Sequence, residues 1–202
     1  GTNIANGIAI QSIYMGYGGT SWGWLPAPVV YTSYDYGSAI DEARNLRPKA
    51  LELKQIGQFL AAVPDLARLE KAQPVTLTGS EAVQVYHDRN PDSDARLLFV
   101  APKPSNATGD AHFTITADLP DGRYSFASEL HGRDAKLLVA GVNLERQRLV
   151  YSSSELQTTI RHGTEDIALF YGRAGEPGET VLRYTSEPKV TVIEGQVSSA
   201  FD

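Results

Sequence analysis

The sequence predicts a mainly β protein in which an antiparallel, β-sandwich-type domain follows a shorter N-terminal part. Three observations lead to this fold class. From Gln73 onward, apolar residues recur with the two-residue period of half-buried strands. Before that point, one stretch has the spacing of an amphipathic helix, and an apolar β-branched run lies close to the N-terminus. Because the period changes near Lys71 to Pro74, we place a domain boundary there.

The first element is the run of residues 8–14, Ile-Ala-Ile-Gln-Ser-Ile-Tyr. Its β-branched, apolar composition predicts a buried strand. The run ends at Gly16-Tyr17-Gly18-Gly19, where glycine allows the chain to turn sharply.

The aromatic stretch, residues 13–40, comes next and differs from the rest of the chain. It holds both tryptophans, Trp22 and Trp24, and five of the ten tyrosines, with almost no formal charge. A sugar ring can lie with its C–H face on such rings while phenol and backbone groups bond its hydroxyls. Packing of the same rings as a core under a Gly-rich turn is the alternative, and composition alone favours that reading.

One long helix is predicted after the aromatic stretch. Pro48 suits its first turn, and Pro64 ends it. Apolar residues recur at intervals of three and four, which places one stripe against a core: Leu53, Ile56, Phe59, Leu60 and Val63.

The remainder predicts short strands at intervals of roughly ten residues, separated by Gly, Pro and Asp turns. Such spacing is typical of an antiparallel sandwich. The predicted strands are residues 75–78, 82–87, 97–101, 112–117, 123–127, 135–140, 148–152, 156–161, 167–171, 179–184 and 189–193.

Composition limits the possible partners. The net charge is −6 and the basic residues are scattered, so we expect neither a nucleic-acid nor a membrane partner. No apolar run approaches the ~20 residues of a membrane span. The absence of cysteine excludes disulfides and thiolate ligands, and the four histidines lack ligand spacing. We therefore expect no metal site, and a neutral or uncharged substrate.

Two halves of the aromatic stretch carry a family resemblance. They read Tyr14-Met15-Gly16-Tyr17-Gly18-Gly19-Thr20-Ser21-Trp22-Gly23 and Tyr31-Thr32-Ser33-Tyr34-Asp35-Tyr36-Gly37-Ser38-Ala39-Ile40. This pattern resembles the eighth-strand region of the β-galactosidases of glycoside hydrolase family 35, with Ser21 where the family usually has Asn. Residues 130–137, 149–155 and 169–176 resemble the all-β second domain that follows the barrel in fungal and similar bacterial members.

The resemblance implies a division of the chain into two parts. Residues 1–73 would be the C-terminal part of a (β/α)8 TIM-barrel catalytic domain, comprising its last strand, an aromatic substrate loop and its last helix. Residues 74–202 would be an all-β second domain that is incomplete at its C-terminus. Barrel strands 1–7 and later β domains, the remainder of the same polypeptide, would be its partners.

The resemblance also implies a substrate site. Tyr14 and Tyr36 would line a galactose pocket, and Trp22 could form part of its wall. Retaining glycosidases need two carboxyl groups ~5–5.5 Å apart. In the family both are glutamates on earlier barrel strands, so we expect no catalytic residue in this chain. Asp35, between two tyrosines in a turn, is expected to structure the loop together with Gly18 and Gly19.

Two functions follow as hypotheses. The first is a part of a retaining β-galactosidase that hydrolyses terminal β-D-galactosyl residues without a metal or other cofactor, and that is inactive as this chain alone. The second is a non-catalytic β-sandwich module that binds carbohydrate or docks another domain. We expect a secreted or periplasmic location, and Asn106-Ala107-Thr108 is a glycosylation sequon.

Overall fold

The computed structural model describes residues 2–21 and 32–195. Within these ranges the chain forms two α-helices, thirteen β-strands and a short 3₁₀ turn at Pro64–Ala67. The helices are α1 (Thr2–Ala5) and α2 (Pro48–Ala62), and the strands are β1 (Gly19–Thr20), β2 (Ser33–Tyr34), β3 (Glu70–Lys71), β4 (Thr76–Thr78), β5 (Val83–Arg89), β6 (Arg96–Pro102), β7 (Ala111–Leu119), β8 (Gly122–Leu130), β9 (Lys136–Leu144), β10 (Gln147–Ser152), β11 (Glu155–His162), β12 (Glu165–Tyr171) and β13 (Thr180–Arg183).

A six-stranded antiparallel sheet forms the middle of the molecule. Its strand order is β13-β10-β9-β6-β5-β3. Successive side chains of a strand point to opposite faces, yet neighbouring residues Leu97 and Leu98 of β6 are both buried. Both faces of this sheet are therefore covered.

The three-stranded sheet β4-β7-β8 covers one face and completes the sandwich. Along β7 every second residue is buried, which is the pattern of a strand with one face in a core. Phe113 and Ile115 of β7 and Phe126 of β8 pack in one cluster with Leu98 and Val150 of the larger sheet. The predicted antiparallel, sandwich-type domain is confirmed.

The helices and the hairpin β11–β12 cover the other face. Ile4 of α1 and Phe59 of α2 pack in a second cluster with Leu149 of β10 and Leu156 of β11. The chain thus has three layers, with the six-stranded sheet in the middle.

Helix α2 matches the predicted helix. It begins at Pro48, after the extended Arg47, and the amide of Val63 donates a hydrogen bond to the carbonyl of Phe59 at its end, 3.1 Å away. Phe59 and Val63 are buried as the apolar stripe predicted, whereas Leu60 stays partly exposed.

Ten of the eleven predicted strands of the β-rich part overlap with observed strands, β4 to β13. The eleventh, residues 189–193, is irregular, and Val190, Val192 and Ile193 are exposed. These residues have no strand partner among the described residues, so their alternating sequence has no ladder to join.

The buried strand predicted at residues 8–14 is wrong for this structure. The run is irregular, Ile10 is 88 % exposed and Tyr14 is 73 % exposed. A parallel barrel strand takes its hydrogen bonds from neighbours on its edges, and no described strand pairs with this run. Residues 8–14 therefore have the composition of a buried strand, but no strand that would pair with them and bury them is found among the described residues.

Close to the predicted boundary, β3 already joins the six-stranded sheet, with Lys71 paired to Asp88 of β5. Helix α2 packs on β11, which belongs to the β-rich part of the chain.

Among the described residues, no helix has the length and apolar character needed to cross a bilayer.

Candidate functional site

Three residues of the aromatic stretch, Tyr14, Tyr34 and Tyr36, come together on the surface and are called the tyrosine cluster below. The hydroxyl oxygens of Tyr14 and Tyr34 lie 3.5 Å apart, and the rings of Tyr34 and Tyr36 meet edge to face with centroids 4.9 Å apart. The hydrogen bond with Tyr34 raises the pKa of the Tyr14 phenol above its usual value. With Tyr14 and Tyr36 more than half exposed, the cluster offers ring surface and phenol hydroxyls to solvent.

Two short strands and a left-handed turn set the positions of these rings. Strands β1 and β2 pair Gly19 with Tyr34 and Thr20 with Ser33. Tyr36 then adopts φ = +43° and Gly37 adopts φ = +64°. A bulky residue in the left-handed region is unusual and costs about 1–3 kcal/mol, so the surrounding contacts must hold this turn in place.

Gly18 allows the turn to approach β1 closely. A Cβ atom added at Gly18 would lie 2.2 Å from Oδ1 and 2.7 Å from Cα of Asp35. At Gly19 the nearest atom to an added Cβ would be Cε1 of Tyr17, 3.8 Å away, which is an ordinary contact. Of the two glycines predicted to structure the loop, the close approach requires only Gly18 to lack a side chain.

Asp35 is the centre of a hydrogen-bonded network beneath the tyrosine cluster. Its Oδ1 lies 2.6 Å from the hydroxyl of Ser38, and its Oδ2 accepts a bond of 2.5 Å from Nη2 of Arg47. The Ser38 hydroxyl, and then the Arg47 guanidinium, hold the pKa of the Asp35 carboxyl below its usual value. An ionised carboxylate with both oxygens occupied is suited to fixing a loop rather than to transferring a proton.

The two other carboxylates next to the aromatic stretch are held in the same way. Glu42 accepts hydrogen bonds from the hydroxyls of Ser33 and Thr20, and these bonds lower its pKa. Asp41 accepts bonds from the amide and side chain of Asn45, which also lower its pKa. No carboxyl group among the described residues of this region has the raised pKa of a proton donor.

Sequence reasoning did not single out Tyr34, although it lies two residues before Tyr36 in an extended segment. Nor did it predict the guanidinium of Arg44, which lies 4.2 Å from the centroid of the Tyr17 ring. Trp22, the remaining predicted site residue, lies outside the described residues.

Two histidines that are far apart in sequence meet on the β7–β8 hairpin. The rings of His112 and His131 have centroids 6.2 Å apart, and Glu129 lies between them, 3.0 Å from His112 and 3.1 Å from His131. Asp110 lies 3.3 Å from the other nitrogen of His131. The carboxylates raise the pKa of His131. Within the described ranges, no group of side chains has the arrangement of a metal site.

A second group missed by sequence reasoning lines a cavity of about 480 Å³ between α2 and the ends of β9, β11 and β12. Lys136 and Glu176 form a buried ion pair there, and Tyr171 is hydrogen-bonded to Glu155. Burial raises the pKa of Glu155 and lowers that of Lys136. The cavity lies between the helical part and the β-rich part of the chain.

Two segments of the chain match known protein-family models. Residues 67–201, which include the sandwich, match the family model described as "Beta-galactosidase, domain 2". Residues 2–60, which include the tyrosine cluster and most of α2, match "Glycosyl hydrolases family 35". The chain belongs to glycosyl hydrolase family 35. The two matches follow each other in the order that the resemblance implied.

Three of the curated relatives of this family 35 chain are fungal proteins. It is 33 % identical over 89 % of its length to "Probable beta-galactosidase C" of Talaromyces marneffei, and 34 % identical over 90 % to the protein of that name from Aspergillus flavus. It is 32 % identical over 98 % to "Probable beta-galactosidase B" of Sclerotinia sclerotiorum. The chain covers 18 %, 19 % and 20 % of these relatives, about a fifth of their length.

Proposed function

We propose that this chain is part of a retaining β-galactosidase that hydrolyses terminal β-D-galactosyl residues. The observation that carries the proposal is the consecutive match to a family 35 hydrolase region and a β-galactosidase second domain. Relatives named as β-galactosidases align with about nine-tenths of the chain or more. The exposed, uncharged tyrosine cluster has the chemistry that a neutral sugar requires.

On this proposal the tyrosine cluster forms one wall of the galactose pocket. The hydroxyls of Tyr14 and Tyr36 would bond sugar hydroxyls or orient a carboxylate, and Trp22 would add to the wall. Tyr34, whose ring meets Tyr36 at 4.9 Å, would support both contacts. Arg47 and Ser38 would act indirectly, since they hold the Asp35 turn that carries Tyr36.

The catalytic glutamates are proposed to lie on barrel strands outside these 202 residues, as the resemblance implies. Asp35, Asp41 and Glu42 do not replace them, because hydrogen bonds lower all three pKa values and leave no proton donor beside a nucleophile. The 202-residue chain should therefore be inactive alone. We keep the division into a barrel part, residues 1–73, and a second domain, residues 74–202, as part of the proposal.

We also propose that the protein is secreted or periplasmic. The sequon at Asn106 lies in an exposed turn after β6, where a glycan could be attached without disturbing the core. A glycan found at Asn106 by mass spectrometry of the protein from its natural source would support an extracellular location.

An assay on a chromogenic β-galactoside tests the proposal. The longer polypeptide should turn over the substrate with retention, and the 202-residue chain should not. In the longer polypeptide, Tyr36→Phe should lower kcat/KM by about tenfold, since it removes one substrate hydrogen bond. Tyr17→Phe is the matched control, because the Tyr17 ring packs against Arg44 outside the cluster. Enzyme-like turnover by the 202-residue chain would overturn the proposal.

The second hypothesis, a non-catalytic carbohydrate-binding or docking module, is favoured by one observation. The tyrosine cluster is exposed and no acid pair accompanies it among the described residues. Calorimetric titration of a longer polypeptide with lactose distinguishes the two functions. Binding that Tyr36→Phe abolishes, without any turnover, would support the module.

A further inference from the structure

Strands β1 and β2 carry Tyr34, the central ring of the tyrosine cluster, on a very short ladder. Two residue pairs form this ladder, Gly19 with Tyr34 and Thr20 with Ser33, and the two strands make a sheet of their own. An isolated two-stranded hairpin is at best marginally stable in water. Contacts from outside the ladder are therefore needed to hold β2 against β1.

Glu42 supplies such a contact. Its carboxylate accepts hydrogen bonds from the hydroxyl of Thr20 on β1 and from the hydroxyl of Ser33 on β2. Because Thr20 and Ser33 are directly opposite each other, one side chain ties both strands together at the same pair. The adjoining pair of the ladder contains Tyr34.

The ionised state of Glu42 gives these hydrogen bonds one direction. The Ser33 hydroxyl, and then the Thr20 hydroxyl, lower the pKa of the Glu42 carboxyl, while the nearby charges of Asp35 and Asp41 oppose this shift. An ionised carboxylate has no proton to donate, so both hydroxyls must point toward it. Hydrogen bonds to a charged group are also stronger than those between neutral groups.

The backbone around Glu42 is fixed by hydrogen bonds of its own. The Asp41 amide donates a bond of 3.0 Å to the Asn45 carbonyl, and Oδ1 of Asp41 accepts one of 2.8 Å from the Asn45 amide. Just before this turn, the Ile40 carbonyl accepts a bond of 2.8 Å from the amide of Gly18. The turn that carries Glu42 is thus attached to the segment that leads into β1.

The position of Tyr34 affects both tyrosines that the proposed function assigns to the sugar. Its hydroxyl oxygen lies 3.5 Å from that of Tyr14, and its ring centroid lies 4.9 Å from that of Tyr36. If β2 moves away from β1, Tyr34 moves with it, and both contacts change. The spacing of the tyrosine cluster therefore depends on the two hydroxyls that Glu42 holds.

We propose that Glu42 is a positioning residue for the tyrosine cluster, which it holds in the geometry that binds galactose by fixing β2 against β1. The two hydroxyls occupy its carboxylate, so Glu42 acts on the sugar through Tyr34 rather than by contact. This role rests on the proposed function, because it takes the tyrosine cluster as one wall of the galactose pocket.

Kinetics of the longer polypeptide on a chromogenic β-galactoside test the role of Glu42. Glu42→Ala removes the acceptor, and Thr20→Val removes one donor while keeping the branched shape of the side chain. Both variants should raise KM and the inhibition constant of galactose by about fivefold, the equivalent of one hydrogen bond. The change in kcat should stay below about twofold, because binding that is lost equally from substrate and transition state affects KM alone.

Two control variants accompany these measurements. Thr20→Ser keeps the hydroxyl and should retain the wild-type KM. Glu70→Ala removes a carboxylate of similar exposure that pairs with Arg89 in the six-stranded sheet, and it should also leave KM unchanged. A thermal melt confirms that each variant is folded.

NMR spectra of the 202-residue chain with ¹³C-labelled tyrosine rings test the position of the cluster without any assay of activity. Tyr34→Phe and Tyr36→Phe assign the two ring resonances, which the edge-to-face contact shifts away from those of an isolated tyrosine. Glu42→Ala and Thr20→Val should move both resonances toward the isolated values, whereas Thr20→Ser should not.

The role of Glu42 is overturned if Glu42→Ala and Thr20→Val keep the wild-type KM in an active polypeptide, or if their loss is confined to kcat. Unchanged ring resonances in both variants overturn it as well. If the wild-type longer polypeptide does not turn over the β-galactoside, the proposed function fails instead, and the NMR spectra alone then decide whether Glu42 positions the tyrosine cluster.

Discussion

Nη2 of Arg47 lies 2.5 Å from Oδ2 of Asp35, and this ion pair connects the start of α2 to the turn that carries Tyr36. The other oxygen of Asp35 lies 2.6 Å from the Ser38 hydroxyl, and Gly18 packs directly against the same side chain. The tyrosine cluster therefore depends on a helix whose opposite face is part of the core.

Asp35→Asn should lower the melting temperature at pH 7. The folded state lowers the pKa of Asp35, so the carboxylate stabilises the fold above its unfolded pKa near 3.8. This contribution is lost as the pH falls through the lower, folded pKa. The difference in melting temperature between wild type and variant should therefore be present at pH 7 and close as the pH falls below about 3.8.

Asp92→Asn is the control for that measurement, because the Asp92–Arg68 pair is about two-thirds exposed on both sides and should matter little. Circular dichroism melts from pH 3 to pH 7 supply the data. If wild type and Asp35→Asn differ in melting temperature by the same amount at pH 3 and pH 7, the stabilising role of the Asp35 charge is contradicted.

Gly18→Ala should destabilise the loop by about 1–3 kcal/mol, because the new methyl group overlaps Asp35 and the turn must move. Gly19→Ala is the neighbouring control, since its methyl group meets only the ring of Tyr17 at 3.8 Å. Urea denaturation measures the free energy of unfolding of both variants. Equal losses would show that the close approach of Gly18 to Asp35 does not determine the loop.

Ile115→Ala should cost about 2–5 kcal/mol, because Ile115 is fully buried between the two sheets of the sandwich. Ile167→Ala in β12 removes the same atoms from a side chain that is about half exposed, and should cost about 1 kcal/mol or less. Denaturant melts compare the two variants. Similar costs would argue against the sandwich as the main core.

His131→Gln should destabilise the fold at pH 5 and have less effect at pH 8. Glu129, and then Asp110, raise the pKa of His131 in the folded state. A raised histidine pKa stabilises the fold fully below the unfolded value of 6.5, and this stabilisation is lost as the pH rises through the folded pKa.

The control is His162→Gln, because His162 is exposed at the end of β11 and forms no ion pair among the described residues. Melting temperatures at the two pH values test the prediction. An effect of His131→Gln that grows toward pH 8 would contradict it.

The strands of the sandwich could be predicted because their residues are apolar and β-branched between turn residues, and in the outer sheet buried and exposed residues also alternate. Strand β7 illustrates this, since Phe113, Ile115 and Ala117 are buried between more exposed neighbours. Helix α2 could be predicted for a similar reason, from Pro48 and the spacing of Phe59 and Val63. The irregular conformation of residues 8–14 could not be predicted, because a run of Ile and Ala residues does not indicate whether a pairing strand is available.

The candidate site was predicted only in part. Tyr14 and Tyr36 were named from the resemblance, and the structure brings them together through Tyr34, which the sequence did not single out. Arg47 lies twelve residues after Asp35, and neither residue type indicates that the two will pair. Whether the cluster binds galactose stays a prediction that the experiments above test.

The mainly β class, ten strands, one helix and membership of a hydrolase family could be predicted from the amino-acid sequence, because these depend on local periodicity and on matched motifs. The contacts between side chains that are distant in sequence could not be predicted and are seen in the folded chain. The register of β7 and β8 places His112 beside His131, and the packing of the two sheets leaves the hydroxyl of Ser128 without a hydrogen-bond partner among the described residues. Such contacts depend on strand order and register across the whole chain, which no short stretch of sequence contains.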